Sequence, residues 1–208
     1  MIPRSFFQQD PLTCSRELVG AELIWGECRG IIVETEAYSA IDDEASHIFM
    51  RPSVPPWVAE KQPGTGYVYM NYGMHWLLNV LVKGGGEEGF VLIRAVEPTA
   101  GIKLMQARRK RTKLEDLCSG PGKLAQAFGI TGVDHGRDLC SGEVGFGPRP
   151  KPVKVATDVR VGISRSAHLQ WRFLIPDNPH VSVKHGKVPT PKVRTGIGRV
   201  SRHSPKQS

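Results

Sequence analysis

The stretch PGTGYVYMNYGMHWLLNVLVKGGG, residues Pro63 to Gly86, decides the fold of this chain. Two runs rich in aromatic and β-branched residues, Tyr67 to Asn71 and Met74 to Val82, flank the dipeptide Tyr72-Gly73. Such runs around a glycine-containing dipeptide are typical of a β-hairpin. We therefore expect two antiparallel strands with an aromatic residue at their tip, and a further turn at the three glycines that end the stretch.

Upstream of the hairpin, Arg29 to Tyr38 has the two-residue period of a strand. Glu34, Glu36 and Tyr38 share one face, and the alternate residues share the other. The pattern predicts a half-buried strand whose second face is functional or solvated. Ser15 to Trp25 is expected to be a short helix that runs into a strand.

Downstream, Phe90 to Val96 is predicted to be another strand. Pro98 suits the first turn of a helix that extends to about Arg111. A closing pair of strands is expected at Trp171 to Ile175 and His180 to Lys184, around a proline-rich turn.

A second helix is expected after the sequence SGPGK. Ser119 would cap it, Pro121 would lie in its first turn and Gly129 would end it. Hairpins outnumber β-helix-β units, so the sequence predicts a mixed α/β fold with a mostly antiparallel, curved sheet, a protruding hairpin and surrounding helices.

The basic charge of the chain is unevenly distributed. The 208 residues carry a net charge of +8, and 39% of them are hydrophobic, enough for a real core. Six of the eight net positive charges lie in residues 186–208, which contain no acid, and two remain for residues 1–185. We expect a catalytic domain over residues 1–185 and a basic arm over residues 186–208. The arm is equally well interpreted as a nucleic-acid contact or as a solvated terminus.

Four cysteines without a C-x-x-C pair favour a reducing compartment. The longest apolar run, Trp76 to Val82, is far too short to span a bilayer. The chain is therefore expected to be a soluble intracellular protein that does not associate with membranes.

Acidic residues are concentrated in VETEAYSAIDDEASH, Val33 to His47. Asp42 and Asp43 suit the start of a short helical turn, where carboxylates stabilise the positive end of the helix dipole. In that interpretation they have no chemical role, and His47 is a hydrogen-bond partner of Asp43 or Glu44.

Several common site motifs are missing. GPGKL, Gly120 to Leu124, lacks the glycine and the Ser/Thr of a Walker A loop, although Lys123 and the backbone at this helix start suit a phosphate. A plain helix cap explains the same residues equally well. No His or Cys pair has zinc-ligand spacing, and no G-x-S-x-G sequence indicates a serine hydrolase.

A cluster of carboxylate and aromatic residues remains. Glu36 and Tyr38 leave the same strand face about 6–7 Å apart, and Tyr69 and Tyr72 come from the hairpin. Aromatic rings hold nucleobases by stacking, and a carboxylate beside them can activate water. Taken singly, each of these residues is better explained as a core or surface residue.

Five ordered blocks, IVETEAY, DEASH, GYVYMNYGMHWLLNV, VLIRAVEP and LCSGPGKL, resemble the alkyladenine, or methylpurine, DNA glycosylase family. RVGIS and WRFLIPDNPHVSV, at residues 160–164 and 171–183, look like its closing elements. The likeness covers about Phe6 to Val183. It implies a monofunctional base-excision repair enzyme that needs no metal or other cofactor and acts as a monomer on double-stranded DNA. Alkylated or deaminated purines of the 3-methyladenine, hypoxanthine and ethenoadenine class would be flipped out and released.

The resemblance also implies a role for particular residues. Glu36 would activate the attacking water, assisted by Arg94. The flipped base would be enclosed by Tyr38, His47 and Tyr69, and Asn79 would exclude guanine through its 2-amino group. The implied DNA contacts are Tyr72, which would fill the gap in the base stack, and Met74, Gly122, Lys123 and Arg51.

The chain departs from the family pattern between His47 and Gly64, where IFMRPSVPPWVAEKQP replaces a loop rich in phosphate-binding residues. Two alternatives follow. One is a catalytically impaired DNA-binding module of the same fold. The other is a carbohydrate hydrolase in which Glu34 and Glu36 form an inverting pair.

Overall fold

A computed structural model describes residues 1–189. Its strands are β1 (Glu22–Trp25), β2 (Cys28–Ser39), β3 (Gly66–Asn71), β4 (His75–Gly84), β5 (Glu87–Ala100), β6 (Val144–Gly147), β7 (Ala156–Asp158) and β8 (Arg172–Leu174). Its α-helices are α1 (Pro11–Leu18), α2 (His47–Met50), α3 (Val54–Glu60), α4 (Ile102–Arg109), α5 (Glu115–Cys118) and α6 (Pro121–Phe128). Short 3-10 helices cover Arg4–Phe7 and Gly132–Asp134.

The described strands form one curved sheet in the order β3-β4-β5-β2-β1-β6, and β8 joins β2 to β7. Every pairing is antiparallel. The predicted fold class is therefore confirmed. Most of the expected basic arm, from residue 190 onward, lies outside the described residues.

The hairpin of β3 and β4 is confirmed. Tyr67 pairs with Asn79, and Asn71 pairs with His75. Tyr72 and Gly73 both have positive φ, 50° and 66°, as the tight turns that suit strand twist require. A tyrosine in this conformation costs roughly 1–3 kcal/mol, so the tip holds Tyr72 against its backbone preference.

Strand β4 separates the core from the face that carries the site. Leu78, Val80 and Val82 point into the main core, where α6 packs against the sheet. Leu81 packs with Tyr67 and other residues in a smaller apolar cluster on the opposite face. This two-residue alternation places a layer of side chains on each face of the sheet.

Strand β2 is buried on both faces from Ile32 to Ala37, so the predicted half-buried strand is wrong. One face packs on α1, where Ser15 donates to Thr35 at 2.9 Å. On the other face, the backbone N–H of Val161 donates to Glu36 and that of Ser182 donates to Glu34, while β8 pairs along the edge of β2. The acids are therefore paired inside the protein and do not lie on a wet face.

The predicted helix start at Asp42 and Asp43 is also wrong. Ser46 caps α2, and Asp43 is buried in an ion pair with Arg160 at 2.6 and 2.7 Å. His47 contacts neither Asp43 nor Glu44 through a hydrogen bond, because its Nδ1 lies 3.0 Å from the Tyr67 hydroxyl. Tertiary pairing with a residue far along the chain overrides the local capping preference.

Two helix starts differ from the prediction. Pro98 lies in β5 and pairs with β2, because the ladder between these two strands extends to Ala100. Helix α4 begins only after Gly101. Gly120, not Ser119, is the N-cap of α6 and provides no side-chain bond. The predicted Pro121 at the helix start and Gly129 at its end are confirmed.

Helix α1 begins with Asp10 as its cap, before the expected start at Ser15, and it leads into β1 as expected. The closing pair of strands is wrong in its second member. β8 pairs with β7, whereas residues 180–184 form no strand. Those residues are held instead by Ser182, which bonds to Glu34.

The segment that departs from the family pattern, residues 48–63, is ordered as parts of α2 and α3. Val54 and Val58 are buried against Tyr67 and its neighbours. The Trp57 ring packs at 5.3 Å from the ring of Tyr67, centroid to centroid. This segment therefore supports the hairpin by packing against Tyr67 of β3.

Candidate active site

A cavity of about 310 Å³ opens on the sheet face opposite the main core. This is at the lower end of the volumes common for small-molecule sites. The lining residues come from the sheet, α2, the hairpin and the segment after Arg160, and they include Tyr38, His47, Tyr69, Tyr72, Asn79, Arg94 and Val161. Six of the residues predicted from the sequence thus share one cavity.

Aromatic rings form much of the wall. His47 and Tyr69 lie with ring centroids 4.3 Å apart at an angle of 59°. Behind them, Tyr67 stacks on Phe90 at 4.4 Å. Because the rings support one another, they present fixed apolar surfaces to a flat guest such as a nucleobase.

His47 is a neutral wall of the cavity at ordinary pH. Burial, reinforced by the nearby cation Arg51, lowers the pKa of His47 to about 4. Its Nδ1 is 3.0 Å from the Tyr67 hydroxyl, which fixes the ring orientation. The cavity can therefore receive a cationic base without repulsion from this ring.

Tyr38 is held from two sides. Its hydroxyl donates to Glu36 Oε2 at 2.8 Å, and the Arg160 guanidinium lies 4.6 Å from its ring centroid. Burial, with the neighbouring Glu36 charge, raises the pKa of Tyr38 well above its ordinary value. The hydroxyl is therefore a permanent hydrogen-bond donor to the carboxylate.

Glu36 lies directly behind the cavity wall and is fully buried. Its Oε1 accepts the backbone N–H of Val161 at 2.7 Å. Its Oε2 accepts Tyr38 and, at 3.4 Å, Arg94. All three donors line the cavity. The carboxylate is thus oriented by groups that a bound guest would touch.

Arg94 is buried between two carboxylates. Its Nε lies 3.1 Å from Glu34 Oε1 and 3.4 Å from Glu36 Oε1. Burial lowers the pKa of Arg94, but Glu36 and Glu34 raise it more, so the net shift is upward. The guanidinium is a fixed cation at the cavity floor.

Asn79 is buried on β4, and its amide nitrogen donates to the Tyr67 carbonyl at 3.2 Å. This bond directs the amide oxygen away from that carbonyl. A guest that carries an amino group at this edge would have to fit beside a rigidly held amide.

The sequence matches the family model of methylpurine-DNA glycosylases over residues 5–179. It is 42% identical over 186 residues to a protein of Chlorobium luteolum, covering 86% of this chain and 95% of that protein. The chain belongs to the methylpurine-DNA glycosylase family. It is 43% identical over 183 residues to a protein of Agrobacterium fabrum, covering 88% and 93%. Both relatives are named "Putative 3-methyladenine DNA glycosylase".

Membership of this family makes the chain a DNA glycosylase, an enzyme of DNA repair that acts on DNA. No helix in residues 1–189 has the length and apolarity to cross a membrane.

The predicted DNA contacts of the glycosylase lie around the cavity mouth or beside it. Tyr72 at the hairpin tip is 81% exposed, and Met74 is 71% exposed. Met74 and Gly122 line a neighbouring groove between the hairpin and α6. Lys123 is exposed, with its Nζ 3.3 Å from Ser119 Oγ.

Arg51 is exposed at the end of α2 and does not line the cavity of the glycosylase. Its guanidinium lies 5.4 Å from the ring centroid of Tyr69. Arg51 therefore packs on Tyr69 of the aromatic wall from outside the cavity.

Two residues of the site were not predicted from the sequence. Val161 donates to Glu36, and Arg160 joins Tyr38 to the segment before His47 through Asp43. The block RVGIS was the available signal, because it contains both missed residues. Their role could not be read from it, since their partners lie 117 to 125 residues away.

Glu34 and Glu36 of the glycosylase do not form an open pair of carboxylates for a sugar. Glu34 is fully buried and is bonded to Arg172 Nε at 2.6 Å and to the Ser182 backbone N–H at 2.6 Å. An inverting pair must leave room for a water and a sugar ring between its acids. Arg94 occupies that position between Glu34 and Glu36.

Proposed function

We propose that this glycosylase flips a damaged purine out of double-stranded DNA and hydrolyses its N-glycosidic bond with a water activated by Glu36. The observation that carries the proposal is the position of the Glu36 carboxylate, which is held by Tyr38, Arg94 and Val161 immediately behind the cavity. The names of the relatives point to 3-methyladenine as a substrate. Hypoxanthine and ethenoadenine belong to the same proposed class.

The flipped purine stacks among Tyr38, His47 and Tyr69 in this proposal. Flipping costs a few kcal/mol, less at a damaged base, and a side chain inserted into the gap offsets part of that cost. Tyr72, whose ring is exposed at the hairpin tip, is the inserted side chain. Asn79 excludes guanine because its fixed amide meets the 2-amino group.

Cleavage of the glycosidic bond develops positive charge on the sugar. Glu36 orients water toward the sugar C1′, and its negative charge stabilises the transition state. Arg94 holds the carboxylate and the water in place. A cationic base such as 3-methyladenine leaves readily, whereas a neutral base requires protonation as it departs.

The described residues that line the cavity include no lysine, so no amine is at hand for a covalent sugar intermediate. This supports monofunctional chemistry. We further propose that the catalytic domain spans residues 1–185 and works as a monomer with the DNA inside the cell. The DNA backbone or groove is contacted by Lys123, Gly122, Met74, Arg51 and the basic arm.

The test is Glu36→Gln on duplexes that contain 3-methyladenine or hypoxanthine. We expect single-turnover base release to fall by roughly 1,000-fold or more, the scale of general-base catalysis. DNA affinity should stay nearly intact, since the stacking walls remain. Glu60→Gln, which changes an exposed carboxylate of α3, is the matched control and should behave as the wild type.

An equal loss in Glu34→Gln, or hydrolysis of an oligosaccharide by the wild type, would overturn the assignment of Glu36. A wild-type protein that binds lesion-containing DNA but releases no base would indicate a DNA-binding module.

A further inference from the structure

From the cavity floor into the interior, four charged side chains alternate in sign along a buried line. Arg172 on β8 and Glu34 on β2 are both fully buried, 2.6 Å apart. Glu34 lies 3.1 Å from Arg94, and Arg94 lies 3.4 Å from Glu36. Burial of unpaired charge is costly, so a line of this kind persists only when every member is held by its neighbours.

Glu34 is the most constrained member of this line. Its Oε1 accepts Arg172 Nε and the Ser182 hydroxyl, at 2.6 and 2.8 Å, and its Oε2 accepts the Ser182 backbone N–H at 2.6 Å. The Ser182 hydroxyl in turn accepts Arg94 Nε at 3.1 Å. Glu34 and Ser182 therefore hold one edge of the Arg94 guanidinium.

Arg94 lies closer to Glu34 than to Glu36, at 3.1 Å and 3.4 Å. A charge-assisted bond between a guanidinium and a carboxylate is about 2.7–2.9 Å long, and such pairs are often bidentate. The contacts of Arg94 with Glu36 are longer, at 3.4 Å for both carboxylate oxygens. Arg94 is thus kept from closing into a tight bidentate pair with Glu36.

We propose that Glu34 is a positioning residue for base release, which holds Arg94 back from Glu36 and so leaves the Glu36 carboxylate free to orient water. The inference rests on the proposed function of Glu36. Without the Glu34 charge, Arg94 closes on Glu36 and occupies the oxygen positions that a water requires. Glu34 itself touches neither the DNA nor the base.

The first test is Glu34→Gln, which keeps the shape of the side chain and removes its charge. We expect single-turnover base release to fall about 10- to 100-fold, a partial loss of the roughly 100- to 10,000-fold that general-base catalysis contributes. The affinity for DNA and the 2-aminopurine signal of flipping should not change. Asp158→Asn is the matched control, because it removes the other carboxylate on Arg172 without touching Arg94, and its release rate should equal that of the wild type.

The second test is a double-mutant cycle with Arg94→Gln. If Glu34 acts through Arg94, adding Glu34→Gln to Arg94→Gln changes release less than twofold. An undiminished effect of Glu34→Gln in that background, or no effect in the wild type, would overturn the proposal. If Arg94→Gln releases too little base to measure, Ser182→Ala takes its place, because it removes the hydroxyl that bridges Glu34 and Arg94.

Thermal unfolding of each variant separates loss of folding from loss of chemistry. If Glu34→Gln does not fold, Ser182→Ala alone provides the test, and we expect it to slow release about threefold to tenfold with flipping unchanged. Unaltered release in Ser182→Ala would then count against the proposal. The two proposals fail differently: a wild type without base release refutes the proposed function, whereas an active wild type with an inactive Glu36→Gln and an unaffected Glu34→Gln refutes only the role of Glu34.

Discussion

The interior behind the cavity and the tip of the hairpin reverse the usual distribution of side chains. Glu34, Glu36 and Arg172 are 0% exposed, although charged residues are almost never fully buried unless they are paired. Tyr72 and Met74 are 81% and 71% exposed, although both are large and apolar. The two regions therefore differ in role: buried charges fix the shape of the site, and the exposed tip is accessible to a binding partner, which we propose is DNA.

The largest effect should come from a change to the buried charges. Asp43→Asn neutralises the partner of Arg160 and leaves that guanidinium buried without a counter-charge. We expect the free energy of unfolding to fall by about 3 kcal/mol or more, as for other broken buried pairs. Urea denaturation followed by tryptophan fluorescence measures the loss.

The neighbouring Asp42 is exposed and provides the control for Asp43. Asp42→Asn should change the free energy of unfolding by less than about 0.5 kcal/mol. If Asp43→Asn is equally mild, the buried ion pair does not hold this part of the site, and the contrast between the interior and the tip is weaker than we describe.

The next effect concerns the tip. Tyr72→Ala should leave the free energy of unfolding within about 0.5 kcal/mol of the wild type, because the ring packs on little of the protein. Affinity for lesion-containing duplex should fall about tenfold, since one stacking contact with a base contributes about 1–3 kcal/mol. Fluorescence anisotropy gives the affinity, and 2-aminopurine emission reports flipping.

Val133→Ala changes a residue that is 91% exposed outside the hairpin, and it should alter neither property. An unchanged 2-aminopurine signal in Tyr72→Ala would eliminate the insertion of this ring. A loss of stability comparable to that of Asp43→Asn would show that the tip also holds the fold.

A third effect is the pH dependence from His47. Its pKa in the folded protein is about 4, below the ordinary value of 6.5, because burial and Arg51 disfavour the charged form. The unfolded chain therefore binds more protons between these values. The stability that depends on neutral His47 is complete above pH 6.5 and is lost as the pH falls through about 4.

Unfolding free energies of the wild type and His47→Gln, measured from pH 4 to pH 7, test this sign. The wild type should lose more stability than the variant as the pH falls. Parallel curves would mean that His47 is not desolvated in the aromatic wall. Between pH 6 and pH 8, the affinity for lesion-containing duplex should not depend on the ionisation of His47.

The hairpin was predictable because its information is local: alternating residues and a two-residue turn lie within one short stretch. The helix end at Gly129 was predictable for the same reason. The role of Asp43 was not, because its partner Arg160 is 117 residues away and local capping preference gave a plausible alternative. Pro98 misled for a related reason, since its strand is extended by pairing with β2.

The site shows the same division. The resemblance to the family predicted one site made of six residues, and the structure places all six in or behind one cavity. They are Glu36, Tyr38, His47, Tyr69, Asn79 and Arg94. Residues 48–63 depart from the family pattern, and the sequence indicated only missing phosphate contacts there. Their support of Tyr67 through Trp57 depends on packing, which the sequence alone does not specify.

Tyr72 has a left-handed backbone. In the proposed mechanism, thermal stability and repair activity therefore favour different residues at this position. Asparagine accepts this conformation more readily than tyrosine, so a screen that selects only for heat resistance would favour it at this position. In the proposed mechanism, the selected protein would melt later and leave more lesions in the genome, because it would lack the ring that we propose fills the vacated space in the duplex. Directed evolution of this enzyme therefore needs an activity criterion at the tip from its first round.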